Sequence, residues 1–439
     1  MVEFGLSLEQ PRLNGPAMTA VRSGRALVFG DDMRIFLAIA RSLGRAGIEV
    51  HSVPFNWQAP ALRSRYVAKW HRVPRHSDSP EAWQAAIAAL AKEYSFDILI
   101  PCCDRAIIAL DQSRERLSGH RLAIPDGAAM TLLFDKERTR QLSLELGVSV
   151  ANAARLRPSD TAGALVAQFG LPLVIKPRRS FWADQLDFWG KAAILDREED
   201  VAAFLDHVTG HDRYQVESFF TGVGVGISVL ANEGRIIQAF QHRRLREGRA
   251  GASSYRISEA LHPEMREACA KICRRTGYTG VCMFEFRYDP QAGDWILIET
   301  NARFWGSMAL PLSLGVDFPR FLCELMTEGR ECRQVDYRTG TKSRNFVLDG
   351  FNIVGQLRGL RAGNLGAWLR DAGDFLLQPT RWLAGTERSD SFVSDDLKPA
   401  LWECAGMARI MAGKLRRNRT APPKRRRSDQ STRRPVMPA

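Results

Sequence analysis

No stretch of the 439-residue sequence reaches 18 consecutive apolar residues, and its first 25 positions carry Glu3, Glu9 and two prolines instead of a continuous apolar run. A membrane-spanning helix and a secretory leader are therefore not expected. Cysteine is sparse: eight thiols, at 102, 103, 269, 273, 282, 323, 332 and 404, with no CxxC pair among them. That pattern excludes a disulfide framework in a chain of this length. Cys269 and Cys273 stand four apart on an expected helix, but no His or second Cys pair accompanies them. They are expected to be small buried hydrophobes, not zinc ligands, in a reduced, cytoplasmic protein. A GxGxxG after the first apolar run is also missing, so a dinucleotide fingerprint is absent.

Basic charge is plentiful but unevenly placed. Of the net +13, a net +9 falls between Lys414 and Arg434, where ten Lys and Arg face a single acid, Asp429. The body before it is only mildly basic. The tail has no interleaved aromatics for base stacking, so no dedicated nucleic-acid partner is expected. It reads as a disordered, solvated segment whose charge suits anionic membrane or RNA equally.

The expected fold class is α/β plus α+β. After an N-terminal extension (1–24), residues 25–125 alternate apolar strands ("RALVFG", "IEVHSVPF", "FDILIPCCD") with helical periodicity, which predicts an open parallel sheet. Ligands of such sheets sit beyond the carboxyl ends of the strands, here at Asp31, Asp32 and Asp104, although helix capping explains the same acids. Residues 126–330 join two helices to strands linked by short turns, which predicts antiparallel α+β structure. A helical extension is expected over 331–410, and the basic tail over 411–439.

The densest chemistry lies in "VCMFEFRYD" and "DWILIETNARFWG". If Asp289 pairs with Trp295, Glu285 stands opposite Glu299, and Asn301 and Arg303 continue the same face. Two carboxylates facing across a sheet repel unless a cation lies between them. With Asn301 they form a hard oxygen set of the kind magnesium takes alongside phosphates. Ion pairing with Arg287 and Arg303 is the plain alternative. Lys176 closes the apolar strand "LPLVIKP", and Lys136 opens a helix where positive charge is unfavourable without an anion. Gly222, Gly224 and Gly226 would let a ligand approach the backbone.

In this order, "FDKERTRQLSLELGV", "LPLVIKP", "QVESFFTGVGVGISVLANEGRI", "QHRRLRE", "GVCMFEF" and "LIETNARFWGSMALPLSLGVDFP" resemble the ATP-grasp superfamily. The resemblance, over roughly 25–330, is to its carbamoyl-phosphate-synthase-like and carboxylate-amine-ligase-like members. It implies ATP held between two α+β subdomains, with Mg (or Mn) as the metal. Lys136 and Lys176 would contact phosphates, and Glu217, Phe219 and Phe220 would form the adenine hinge. Glu285, Glu299 and Asn301 would ligate the metal, and Arg303 would neutralise the transferred phosphoryl or a substrate carboxylate. The implied activity is an ATP-dependent ligase that joins a small-molecule carboxylate to an amine through an acyl phosphate. A nucleotide-binding regulatory protein without turnover is the second reading, since the loop after Lys176 is bulky ("PRRSFWADQLDFWG") where relatives have glycine and serine. Arg243, Arg244, Arg256 and Asp104 are further candidates for an anionic substrate. A homodimer is left open.

Overall fold

The computed structural model describes residues 24–180, 182, 192–248, 253–357 and 364–420. The expected disordered tail (411–439) is corrected over 411–420, which continue the helix Lys398–Thr420; the rest of the tail, most of the bulky loop after Lys176 and residues 249–252 lie outside the described residues.

The first sheet is parallel throughout. Its strands are β1 (Arg25–Phe29), β2 (Glu49–Val53), β3 (Val67–Trp70) and β4 (Ile98–Pro101), in the order β3-β2-β1-β4. The central strands β1 and β4 are apolar runs because both faces are covered, whereas the edge strand β3 is largely exposed; Leu27, Val28, Val50, Leu99 and Ile100 are fully buried. Asp32 caps the helix Phe36–Arg45 region, its Oδ1 accepting the Arg34 and Ile35 N–H groups at 2.9 and 2.6 Å. Capping is thus what this acid does.

A second sheet, β5 (Ala153–Arg155), β6 (Leu173–Pro177), β7 (Ala193–Leu195) and β8 (Tyr214–Ser218), is antiparallel in the order β5-β8-β6-β7. The third has seven strands. In chain order they are β9 (Val223–Asn232), β10 (Arg235–Glu247), β11 (Ser253–Glu259), β12 (Gly280–Tyr288), β13 (Trp295–Asn301), β14 (Lys342–Arg344) and β15 (Glu387–Ser389). Their spatial order is β13-β12-β9-β10-β11-β14-β15.

Both faces of the large sheet are dry. Leu230, Phe240, Val281 and Met283 pack with Trp305, Phe318 and the helix Phe36–Arg45. On the other face Ile227, Val229, Cys282 and Phe284 meet Met265, Cys269, Ile272 and Cys273 of the helix Pro263–Thr276. The thiols are core packing groups, and burial pushes Cys273 up to about 12.

The region after 330 is not helical alone. Alongside the expected helices, seen at Leu365–Leu376 and Lys398–Thr420, it supplies two strands to the large sheet. Arg344 of β14 pairs with Asp349 and Glu387 at 2.8 Å each and with Asp374 at 2.6 Å. Arg41, from the first unit, pairs with Asp396 at 2.9 Å. Among the described residues no helix is long and apolar enough to cross a membrane.

Candidate active site

Strands β12 and β13 form a hairpin whose register differs by one residue from the expectation at its turn. Tyr288, not Asp289, pairs with Trp295, followed by Arg287 with Ile296 and Phe286 with Leu297. Ile298 is then an extra residue, and beyond it Glu285 faces Glu299 and Met283 faces Asn301. This bulge re-aims the end of the strand. It also leaves the Ile298 carbonyl to accept a hydrogen bond from Lys176 Nζ at 3.2 Å.

Lys176 is 5% exposed, on β6 beside β8, where it pairs with Glu217 at 2.8 Å. A buried ammonium needs such a partner. Lys136 begins the helix Lys136–Glu145, behind Asp135, which caps the helix by accepting the N–H groups of Glu137 and Arg138 at 3.1 and 3.3 Å. Asp135 also holds Arg178 and Arg179, each at 3.1 Å. The start of the bulky loop is therefore tied to this helix, and both arginines are engaged in that link. Lys136 Nζ lies 3.4 Å from Ser180 Oγ and 3.5 Å from Glu299 Oε2. Burial pushes the Glu299 carboxyl up, but Lys136, Lys176 and Arg303 outweigh it and hold the group below its ordinary value. It is a committed anion.

Asn301 Nδ2 donates to Glu285 Oε1 at 3.0 Å and to Glu299 Oε1 at 3.4 Å. Arg244 reaches across from β10 to Glu285. The donor set fits magnesium: two carboxylates and an amide on one face of a strand pair, with the amide oxygen presented once the Asn301 head turns over. The cavity beside them, about 270 Å³, is lined by Lys136, Arg179, Ser180, Glu217, Glu299 and Asn301 among others. Asp104 also lines it. Phe219, 40% exposed, and Phe220 do not, although Glu217 does.

Arg303 leaves the expected strand face. Its N–H turns back onto the Asn301 carbonyl at 2.8 Å, and its guanidinium pairs with Asp104, Nη2 standing 3.4 Å from Oδ2. Burial opposes its charge, but the Asp104 carboxylate prevails and holds Arg303 more firmly protonated. Two candidates from opposite ends of the chain thus become one ion pair.

The structure corrects the expectations for Arg256 and for the β9 glycines, and gives the partly exposed Arg243 a carboxylate neighbour. Arg256 is fully buried and paired with Asp390 of the C-terminal extension, so it is closed to a substrate. Arg243 is engaged by Glu259 at 2.5 Å. The glycines of β9 admit side chains of β10, not a ligand. A Cβ on Gly226 would stand 2.4 Å from His242 Cε1, and one on Gly224 would stand 2.7 Å from Arg244 Cδ. Gly226 sits in register between His242 and Glu285. Burial, then Arg244 and Arg256, hold His242 well below its usual value, so it is a neutral filler beside Glu285. Gly226→Ala is expected to cost about 1–3 kcal/mol by overpacking, read as a lowered urea midpoint. An unchanged midpoint would show that His242 moves aside freely.

Arg34 was not singled out by any sequence pattern. It follows β1, its Nε donates to the Gly306 carbonyl at 3.2 Å, and a Cβ on Gly306 would lie 1.6 Å from its Nη2. No carboxylate among the described residues forms an ion pair with it. Burial, then the charge of Arg256, lower its pKa. Only the glycine following Trp305 could have signalled the contact.

The geometry agrees with the comparisons. Residues 216–316 match the ATP-binding domain of the carbamoyl-phosphate synthase large chain. The biotin carboxylase domain of Hydrogenobacter thermophilus 2-oxoglutarate carboxylase, solved with MgADP, ADP and bicarbonate, superposes with a TM-score of 0.55 at 17% identity, covering 72% of this chain and 73% of that one. The chain has an ATP-grasp fold. An L-amino acid ligase from Bacillus licheniformis shares the ATP-grasp fold with a TM-score of 0.53 at 19% identity, over 70% of this chain and 75% of that one. In sequence, D-alanine–D-alanine ligase of Ectopseudomonas mendocina is 24% identical over 222 residues, 47% of this chain and 68% of that enzyme. An ATP and magnesium requirement is consistent with these neighbours, one of them solved with MgADP.

Proposed function

We propose that the protein is an ATP-dependent ligase that activates a carboxylate substrate and joins it to an amine. The observation that carries this reading is Lys136 lying 3.5 Å from Glu299, directly across the strand pair from Glu285, while Lys176 bonds to the adjoining Ile298 carbonyl at 3.2 Å. Phosphoryl transfer needs positioning and charge neutralisation more than covalent chemistry. Lys136 and Lys176 would neutralise ATP phosphates, with Glu299, Glu285 and Asn301 holding magnesium, which supplies further positive charge there when bound. The names of the matched relatives, a D-alanine–D-alanine ligase and an L-amino acid ligase, support an amine acceptor.

A substrate carboxylate oxygen attacks the γ-phosphorus, the bond to the β,γ-bridging oxygen breaks, and ADP leaves. The amine then attacks the acyl carbon, phosphate leaves, and the amine loses a proton. Arg303, fixed by Asp104, flanks the metal strand, and Arg34 offers a guanidinium to a carboxylate beside Gly306. The measurement is ADP and phosphate release with Mg-ATP across pools of amino acids, polyamines and small carboxylates. Release confined to one pool is the expected result. Tight Mg-ATP binding without release from any pool would favour a nucleotide-binding regulatory role instead.

A further inference from the structure

A second cavity, about 220 Å³, opens on the parallel sheet away from the metal carboxylates, and it is lined by Phe55, Trp57, Arg72, Arg75, His76 and Arg105 among others. Its position follows from topology. Phe55 and Trp57 follow β2, Arg72 and Arg75 follow β3, and Arg105 lies in the helix after β4, so all lie beyond carboxyl ends of parallel strands, where ligands of open sheets bind.

The wall is strongly one-sided in charge. Three guanidiniums and a histidine line it, and no Asp or Glu does. Neither Arg72 nor Arg75 has a carboxylate partner among the described residues. Two of the arginines are braced by rings: Arg72 lies 4.1 Å from the Trp57 centroid and Arg105 lies 3.8 Å from that of Phe55. Such stacking holds the guanidinium plane, and at Arg72 it leaves edge N–H groups for a ligand, whereas Arg105 is already engaged within the protein and mainly shapes the wall. His76 Nε2 is buried without a hydrogen-bond partner among the described residues. Phe55 and Trp57 are 40% and 41% exposed, an unusual outlay of aromatic surface.

We propose that this cavity binds an oxyanion, carboxylate or phosphate, carried next to a planar or apolar group. Its volume is below the 300–1,000 Å³ typical of whole drug-sized ligands. It therefore suits one ring and one anionic group, a portion of a larger molecule. Arg105 lines this cavity and its neighbour Asp104 lines the nucleotide cavity, one residue apart on the helix Asp104–Asp111. The two cavities are thus flanked by consecutive residues of one helix. On the ligase reading the ligand seated here is the anionic end of one of the two joined substrates; that assignment of use rests on the ligase reading, whereas the binding does not.

The test is calorimetric titration of the full-length protein with phenyl phosphate and benzoate, using phenol as the uncharged control, at fixed ionic strength. Saturable binding of at least one anion, with none of phenol, is expected. Arg72→Gln should weaken it at least tenfold while leaving Mg-ATP affinity unchanged, and Glu299→Ala should leave anion binding intact. Preference between the two anions then distinguishes a phosphate from a carboxylate ligand. Equal affinity in the Arg72→Gln protein, displacement by Mg-ATP, equal binding of phenol, or no binding in the millimolar range would each overturn the proposal. If anions bind as expected but no pool supports ADP release, the ligase reading fails and the cavity assignment stands.

Discussion

Glu299→Ala is expected to lower ATP-dependent turnover by at least three decades, about 4 kcal/mol of transition-state stabilisation, while leaving the protein folded. Several dependencies meet at this carboxylate. It stands opposite Glu285 across the strand pair, lies 3.5 Å from Lys136, and accepts from Asn301 at 3.4 Å. On the ligase reading, removing it takes away a metal ligand; it also releases Lys136 from its carboxylate partner, whereas Lys176 keeps Glu217 at 2.8 Å. The fold should survive because Glu299 lies near the open end of the strand and the apolar faces of the sheet are untouched. Circular dichroism and the thermal midpoint check folding, and ADP release with saturating Mg-ATP checks turnover. A folded variant within tenfold of the parent rate would remove Glu299 from the metal and phosphate machinery.

The facing of Glu285 and Glu299 was legible because polar residues interrupt otherwise apolar strands with a period of two, and only Glu285 opposite Glu299 satisfies both strands. The bulge beneath it was not legible. Ile298 is one apolar residue among Trp295, Ile296 and Leu297, so an insertion there leaves no mark on the alternation, and the turn register was misjudged by one. The parallel sheet was readable from its doubly buried apolar strands. By contrast β14 and β15 are three residues each, "KSR" and "ERS", with no hydrophobic period at all. They exist because Arg344, Glu387 and their neighbours saturate one another inside the protein, a long-range condition that local pattern does not contain. The same blindness affected strand β11. Arg256 reads as a surface cation until its partner Asp390, 134 residues later, is placed beside it. Gly224 and Gly226 suggested a ligand because small residues signal close approach, but what approaches is Arg244 and His242.

Asp390 supplies the second large effect. Asp390→Ala should destabilise the protein by about 3–5 kcal/mol, since removing one partner strands a buried guanidinium. Arg256 has no exposure through which water could compensate, and Ser343 Oγ, which donates to Asp390 Oδ1 at 2.7 Å, would lose its acceptor as well. The expected reading is a lowered urea midpoint with the slope preserved. Replacing both charges, Arg256→Met with Asp390→Leu, should recover most of the loss, because a buried ion pair exchanged for apolar groups is often close to neutral. That recovery separates two roles for Arg256. If the arginine serves the joint between the large sheet and the C-terminal extension, the double variant regains both stability and KM. If it serves a substrate anion, the double variant regains stability at most and its KM stays raised. Full burial and pairing to a residue of the extension predict the first outcome.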